Sequence, residues 1–188
     1  MRLEGVGKRY GLSWSAAVLL PAVAWLTRSM LTAEPPQARA CVAAASGPRR
    51  AHLSALIAAL AGGIAFALAG AAYVLVRCQH PDSLTRTIGV LASGLAAAGV
   101  CVLVGGAIGA FCNPPLVRRP AYGILGTSGA VILALVSDVS PASAALRGTG
   151  SAPQGTSWLP GLPVIVAAAL LAASWTASTM IAARRGGG

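Results

Sequence analysis

From Thr87 to Cys112 the chain runs for 26 residues, TIGVLASGLAAAGVCVLVGGAIGAFC, without a charge. As a helix rising 1.5 Å per residue, that run reaches about 39 Å, enough to cross a hydrocarbon layer ~30 Å thick with some tilt. Its glycines would each cost a soluble core helix roughly 0.5–1 kcal/mol. Between helices in lipid the same residues let backbones approach closely. Gly105 and Gly109 form a GxxxG step, and Gly89, Ser93 and Ala97 continue the small-xxx-small spacing.

Similar runs recur. Tyr10–Thr27 is uncharged over 18 residues, with Trp14 and Trp25 as interfacial anchors and Pro21 at a place where a helix can kink. Arg28 can snorkel and extend that span to Leu31. Leu53–Val76, Ala121–Ser137 and Leu162–Ala183 are further charge-free runs. Lipid admits only helices or closed barrels. A barrel needs alternating apolar and polar residues, and ALIAALAGGIAFALAGAAYVLV does not alternate. With 56% hydrophobic and 10% charged residues, the chain reads as an all-α, polytopic integral membrane protein. We expect a single membrane domain over 1–188, with a tail at 1–11 and spans near 12–31, 53–76, 87–112, 121–137 and 162–183.

The segments between spans are short and punctuated. In Thr32–His52, Pro35-Pro36 stops the first helix, Gln37–Ser46 has helix-forming composition, and Gly47-Pro48 terminates it. We expect a short amphipathic helix there, lying along the cytoplasmic surface, with Val42 and its alanines inward. Arg77–Arg86 and Asn113–Pro120 read as turns, and Asp138–Gly161 as a Ser/Pro/Gly-rich loop.

The net charge of +10 comes from 14 basic and 4 acidic residues, and the basic ones sit at the ends of apolar runs. That pattern suits topology and contact with lipid head groups, not nucleic acid. Five spans put Arg28, Arg39, Arg49, Arg50, Arg118, Arg119, Arg184 and Arg185 on one side, eight charges. Arg2, Lys8, Arg9, Arg77, Arg86 and Arg147 fall on the other, six. The eight-charge side, with the C-terminus, is expected in the cytoplasm.

Little here points to catalysis. Cys41, Cys78, Cys101 and Cys112 show no CxxC spacing and read as free thiols. His52, His80 and Asp82 do not make a metal set. Apart from Arg28, the spans carry no Asp, Glu, Lys or Arg, which argues against a proton-coupled pump or an ion-selective channel. Gly126-Thr127-Ser128-Gly129-Ala130 resembles the GxSGA motif of rhomboid intramembrane proteases, whose serine pairs with a histidine on a later helix. Both histidines precede Ser128. A packing face of Gly123, Gly126 and Gly129 is the plainer expectation.

Two longer stretches carry a family likeness. PAVAWLTRSMLTAEPPQARACVAAASGPRRAHLSALIAAL resembles membrane subunits of ABC exporters from high-GC, actinomycete-like bacteria. NPPLVRRPAYGILG, followed by SPASAALR, resembles the region around the next-to-last helix of the same proteins. The likeness covers about residues 13–185. It implies a cytoplasmic loop with a coupling helix that touches the ATPase, and Thr32–His52 matches it in place. Asp138–Gly161 matches the outward-facing loop between the last two helices. The chain lacks a recognisable counterpart of the family's first helix. Met1–Gly11, MRLEGVGKRYG, resembles the opening strand of an ABC-type ATPase, with Tyr10 at the adenine-stacking position. No GxxxxGK[ST] loop follows it, so nothing here cradles phosphates.

The resemblance thus implies a non-catalytic, permease-like subunit in a bacterial plasma membrane, with no cofactor. A separate ABC ATPase, membrane lipids and a homo- or heterodimer are the expected partners. Glu34, Arg39, Arg49 and Arg50 are the expected coupling-loop contacts, and Gly105, Gly109, Gly123, Gly126 and Gly129 the expected helix-packing positions. A rhomboid-like protease and an orphan membrane scaffold are the alternatives.

Overall fold

The computed structural model describes residues 3–33, 35–77, 84–113, 116–117, 119–151 and 161–186. Every element among them is an α-helix: α1 (Leu3–Thr32), α2 (Pro36–Ser46), α3 (Pro48–Arg77), α4 (Leu84–Phe111), α5 (Pro120–Val136), α6 (Pro141–Ser151) and α7 (Gly161–Gly186). α1, α3, α4 and α7 are each long and apolar enough to cross a membrane, and α5 with α6 makes a fifth span if the bent pair is counted as one.

The long uncharged run forms the hub. Helix α4 touches α1, α3, α5, α6 and α7, whereas among the described residues α2 touches only α3. Over its apolar stretch Leu91–Phe111, 56% is buried, against 17% for Arg49–Tyr73 of α3. Its side chains are too small to hold neighbours at ordinary spacing, so the neighbours close in from several sides. Ala97, Val100, Cys101 and Val104 join Leu20, Val23 and Ala24 of α1 in the main apolar cluster. Leu31, Leu56, Ala110 and Trp175 form a second cluster where α1, α3, α4 and α7 meet. Outward-facing residues such as Val18, Phe66, Leu133 and Ile165 are exposed.

Local signals set most boundaries. Gly47 has φ +86°, the left-handed conformation that ends α2, and Pro48 then occupies the first turn of α3. Pro120 opens α5 in the same way. Pro21 does not interrupt α1, which is one helix of 30 residues.

Helix extends into two segments that the sequence reading left outside the spans. α1 starts at Leu3, so the segment expected as a tail at 1–11 is largely helical. No proline lies between Leu3 and Leu20 to stop helix propagating outward from the apolar run. The segment expected as a loop over 138–161 contains α6. Ser140 caps it by accepting from the Ala142 amide at 3.3 Å, and Pro141 sits at its first position. Ala142 and Ala145 are fully buried, which gives this short polar-looking helix an inner face.

α5 and α6 meet at a 41° bend over Ser137–Ser140. The bend exposes carbonyls that a continuous helix would satisfy, and α6 side chains take them up. Ser143 Oγ donates to Ser137 O at 2.6 Å and reaches Ser140 O at 3.0 Å. Arg147 donates to Asp138 O at 2.9 Å and pairs with the Asp138 carboxylate.

Candidate functional site

Two kinds of contact meet on α1, and together they make the site best defined by geometry. The first is a seat of glycines. An ideal Cβ at Gly105 would lie 2.6 Å from the Leu20 carbonyl oxygen, and one at Gly109 would lie 2.6 Å from Thr27 Cβ and 2.9 Å from Ala24 O. The GxxxG step therefore brings the α4 backbone against the α1 backbone within one chain. α3 contributes a parallel pair. A Cβ at Gly62 would meet Leu26 at 2.8 Å, and one at Gly63 would meet Val23 at 2.9 Å. The Gly62-Gly63 pair escaped the sequence reading, although two adjacent glycines in an apolar run are themselves a close-approach signal.

The second contact is polar and sits one turn further along α1. Asn113 follows α4 and is fully buried. Its amide nitrogen donates to Gly109 O at 2.8 Å, closing an open carbonyl of the last turn, and lies 3.5 Å from Thr127 Oγ1. Its amide oxygen accepts from Arg28 Nη1 at 2.6 Å. Thr127 Oγ1, also buried, donates to Gly123 O at 2.7 Å. One asparagine thus joins the last turns of α1 and α4 to the second turn of α5. Arg28 is half-buried, and its guanidinium also lies 5.8 Å from the Trp25 ring centre. The negative end of the α4 dipole favours a cation here.

Gly123 makes room for this arrangement. A Cβ there would meet Arg28 Nη1 at 2.8 Å and Cys112 O at 3.0 Å. A Cβ at Gly126 would be in ordinary contact with Cys112 Sγ at 3.6 Å, and one at Gly129 would have nothing within 4 Å. The sequence reading placed Arg28 as a snorkelling end residue, put the Thr127 hydroxyl on a close-packing helix face and assigned Asn113 no role. A polar residue directly before Pro114-Pro115 was the available signal.

The expected coupling contacts are only partly described. Arg49 and Arg50 are exposed at the start of α3. The backbone of Arg39 belongs to α2, while its side chain and all of Glu34 lie outside the described residues. So do Cys78, His80 and Asp82. Val42, expected to face inward from α2, is exposed.

Ser128 is exposed on α5. Among the described residues, α3, which carries His52, makes no contact with α5, which carries Ser128. Among the described residues no three of His, Cys, Asp and Glu gather as a metal set. Cys41, Cys101 and Cys112 are free thiols. A crevice between α1, α3 and α4, lined by residues such as Ala16, Phe66, Gly70 and Gly94, has a volume of about 60 Å³. Small-molecule pockets occupy roughly 300–1,000 Å³, so this crevice does not enclose a substrate.

No protein-family model, characterised protein or solved structure matches this chain.

Proposed function

We propose that the chain is a non-catalytic, permease-like membrane subunit of an ABC exporter, driven by a separate ATPase. The observation that supports this reading most is the position of α2. It lies between the first two long helices, packs among the described residues on α3 alone, and is followed by the exposed Arg49 and Arg50. A helix held outside the bundle at a charged end is available to a partner. The position of Ser128 gives the protease alternative no support.

In this reading the α2 end is cytoplasmic, as the eight arginines on that side suggest. A reporter fused after Gly188 and another inserted at Gly155 should then lie on opposite sides of the membrane. Purification in mild detergent should retain an ATPase. Arg39→Glu should uncouple hydrolysis from transport, while Arg39→Lys should weaken a bidentate contact only partly. Normal insertion, partner binding and transport by Arg39→Glu would remove Arg39 from the coupling contact, and purification without any ATPase would remove the exporter reading.

A further inference from the structure

Two guanidinium groups flank the first turn of α5, and no carboxylate accompanies them among the described residues. The ion pair formed there is Asp138–Arg147, beyond the opposite end of α5. Arg28 gives one N–H to Asn113 and rests against Trp25. A guanidinium has five N–H donors, so most of this one is uncommitted. Arg119 immediately precedes α5, and its guanidinium lies 6.0 Å from the Tyr122 ring centre. Gly123 ties the two together. Its amide donates to Arg119 O at 3.1 Å, and its missing Cβ leaves the space that Arg28 Nη1 occupies.

The surroundings decide what such a pair attracts. Trp25 and Tyr122 are 52% and 61% exposed, on helices whose other exposed residues are mostly apolar. Trp and Tyr concentrate at the boundary between hydrocarbon and head groups. Each of the two guanidinium groups rests beside one such ring, the setting in which lipid phosphates are met. Arginine suits phosphate because its planar fork makes paired, charge-assisted hydrogen bonds.

We propose that Arg28 and Arg119, on the face shared by α1 and α5, bind the phosphate of an anionic membrane lipid. Asn113 acts as a positioning residue. It holds Nη1 of Arg28 and leaves the other donors for the head group. The site stands apart from the exporter reading and needs only that these helices lie in a membrane.

The test is thermal unfolding of the full chain in a neutral detergent with added phosphatidylglycerol, phosphatidylcholine or inorganic phosphate. Phosphatidylglycerol should raise the midpoint, and the other two should not. Its apparent affinity should fall roughly tenfold in Arg28→Gln and in Arg119→Gln. Arg119→Gln removes an exposed side chain that has no hydrogen bond among the described residues, so it reads the site even where Arg28→Gln fails to fold. Equal protection by phosphatidylcholine or by inorganic phosphate overturns the lipid assignment. Undiminished protection of Arg119→Gln by phosphatidylglycerol overturns the site.

Discussion

Helix α1 is held by dissimilar means at two neighbouring levels. Along its middle, Leu20 and Ala24 lie backbone on backbone against Gly105 and Gly109 of α4, and the Val23 side chain fills the space left by Gly63 of α3. One turn later, Arg28 meets Asn113, and the contact is a hydrogen bond between side chains from the ends of two helices. The first holds through shape and tolerates no added volume. The second holds through polar satisfaction and tolerates no lost partner. A bundle with few large side chains uses both, because closeness alone does not fix where a helix ends.

The comparison is tested most severely by adding volume. Gly105→Leu should destabilise the protein by about 3 kcal/mol, since the side chain would meet the Leu20 carbonyl, which is backbone and cannot swing aside. Reversible unfolding in mixed detergent micelles measures this. A change below ~0.5 kcal/mol, the size of an ordinary surface substitution, would mean that α1 and α4 are not in backbone contact.

Removing the polar partner comes next. Asn113→Ala should cost about 2 kcal/mol, because it strands both Gly109 O and the Arg28 guanidinium. Asn113→Asp should fall between that variant and the wild type, since it keeps an acceptor for Arg28 and loses the donor to Gly109 O. If Asn113→Asp and Asn113→Ala unfold alike, the Arg28 contact contributes nothing.

The same chemistry without a neighbour should do the opposite. Gly129 faces open space, so Gly129→Ala should stabilise α5 by roughly 0.5–1 kcal/mol through lower backbone entropy. A loss of stability in the monomer would place an unseen neighbour against that face. The smallest effect belongs to the Asp138–Arg147 pair, whose side chains are 86% and 53% exposed. Asp138→Asn should cost less than about 1 kcal/mol, and the difference should shrink in molar salt.

The two levels also differ in how visible they were beforehand. The GxxxG step of Gly105 and Gly109 could be read directly, because spacing along one helix is written in the chain. Which helix it would meet could not, since a small-residue face suits a partner copy and a neighbouring helix equally well. The existence of the long apolar helices was legible from length and charge alone. The α6 helix was obscured by its Ser, Gly and Thr content, although Ser140-Pro141 carried the start signal and two buried alanines supplied the inner face. The Arg28–Asn113–Thr127 junction was out of reach. Its members are 85 residues (113 − 28) and 14 residues (127 − 113) apart, and only the return of α4 toward the end of α1 brings them together.

The seat of α1 on α4 has a consequence for synthesis. Leu20 and Gly105 lie 85 residues apart (105 − 20). At ~5–20 residues per second, roughly 4 to 17 seconds separate their emergence from a ribosome. During that interval α1 has its α3 neighbour at most, and the Arg28 guanidinium lacks Asn113. The nascent first helix therefore needs a temporary host, either lipid that it can slide through or an insertase that shelters its polar end. Arrested chains ending before and after residue 113 would show it: crosslinks from position 28 should pass from the insertion machinery to α4 only in the longer chain.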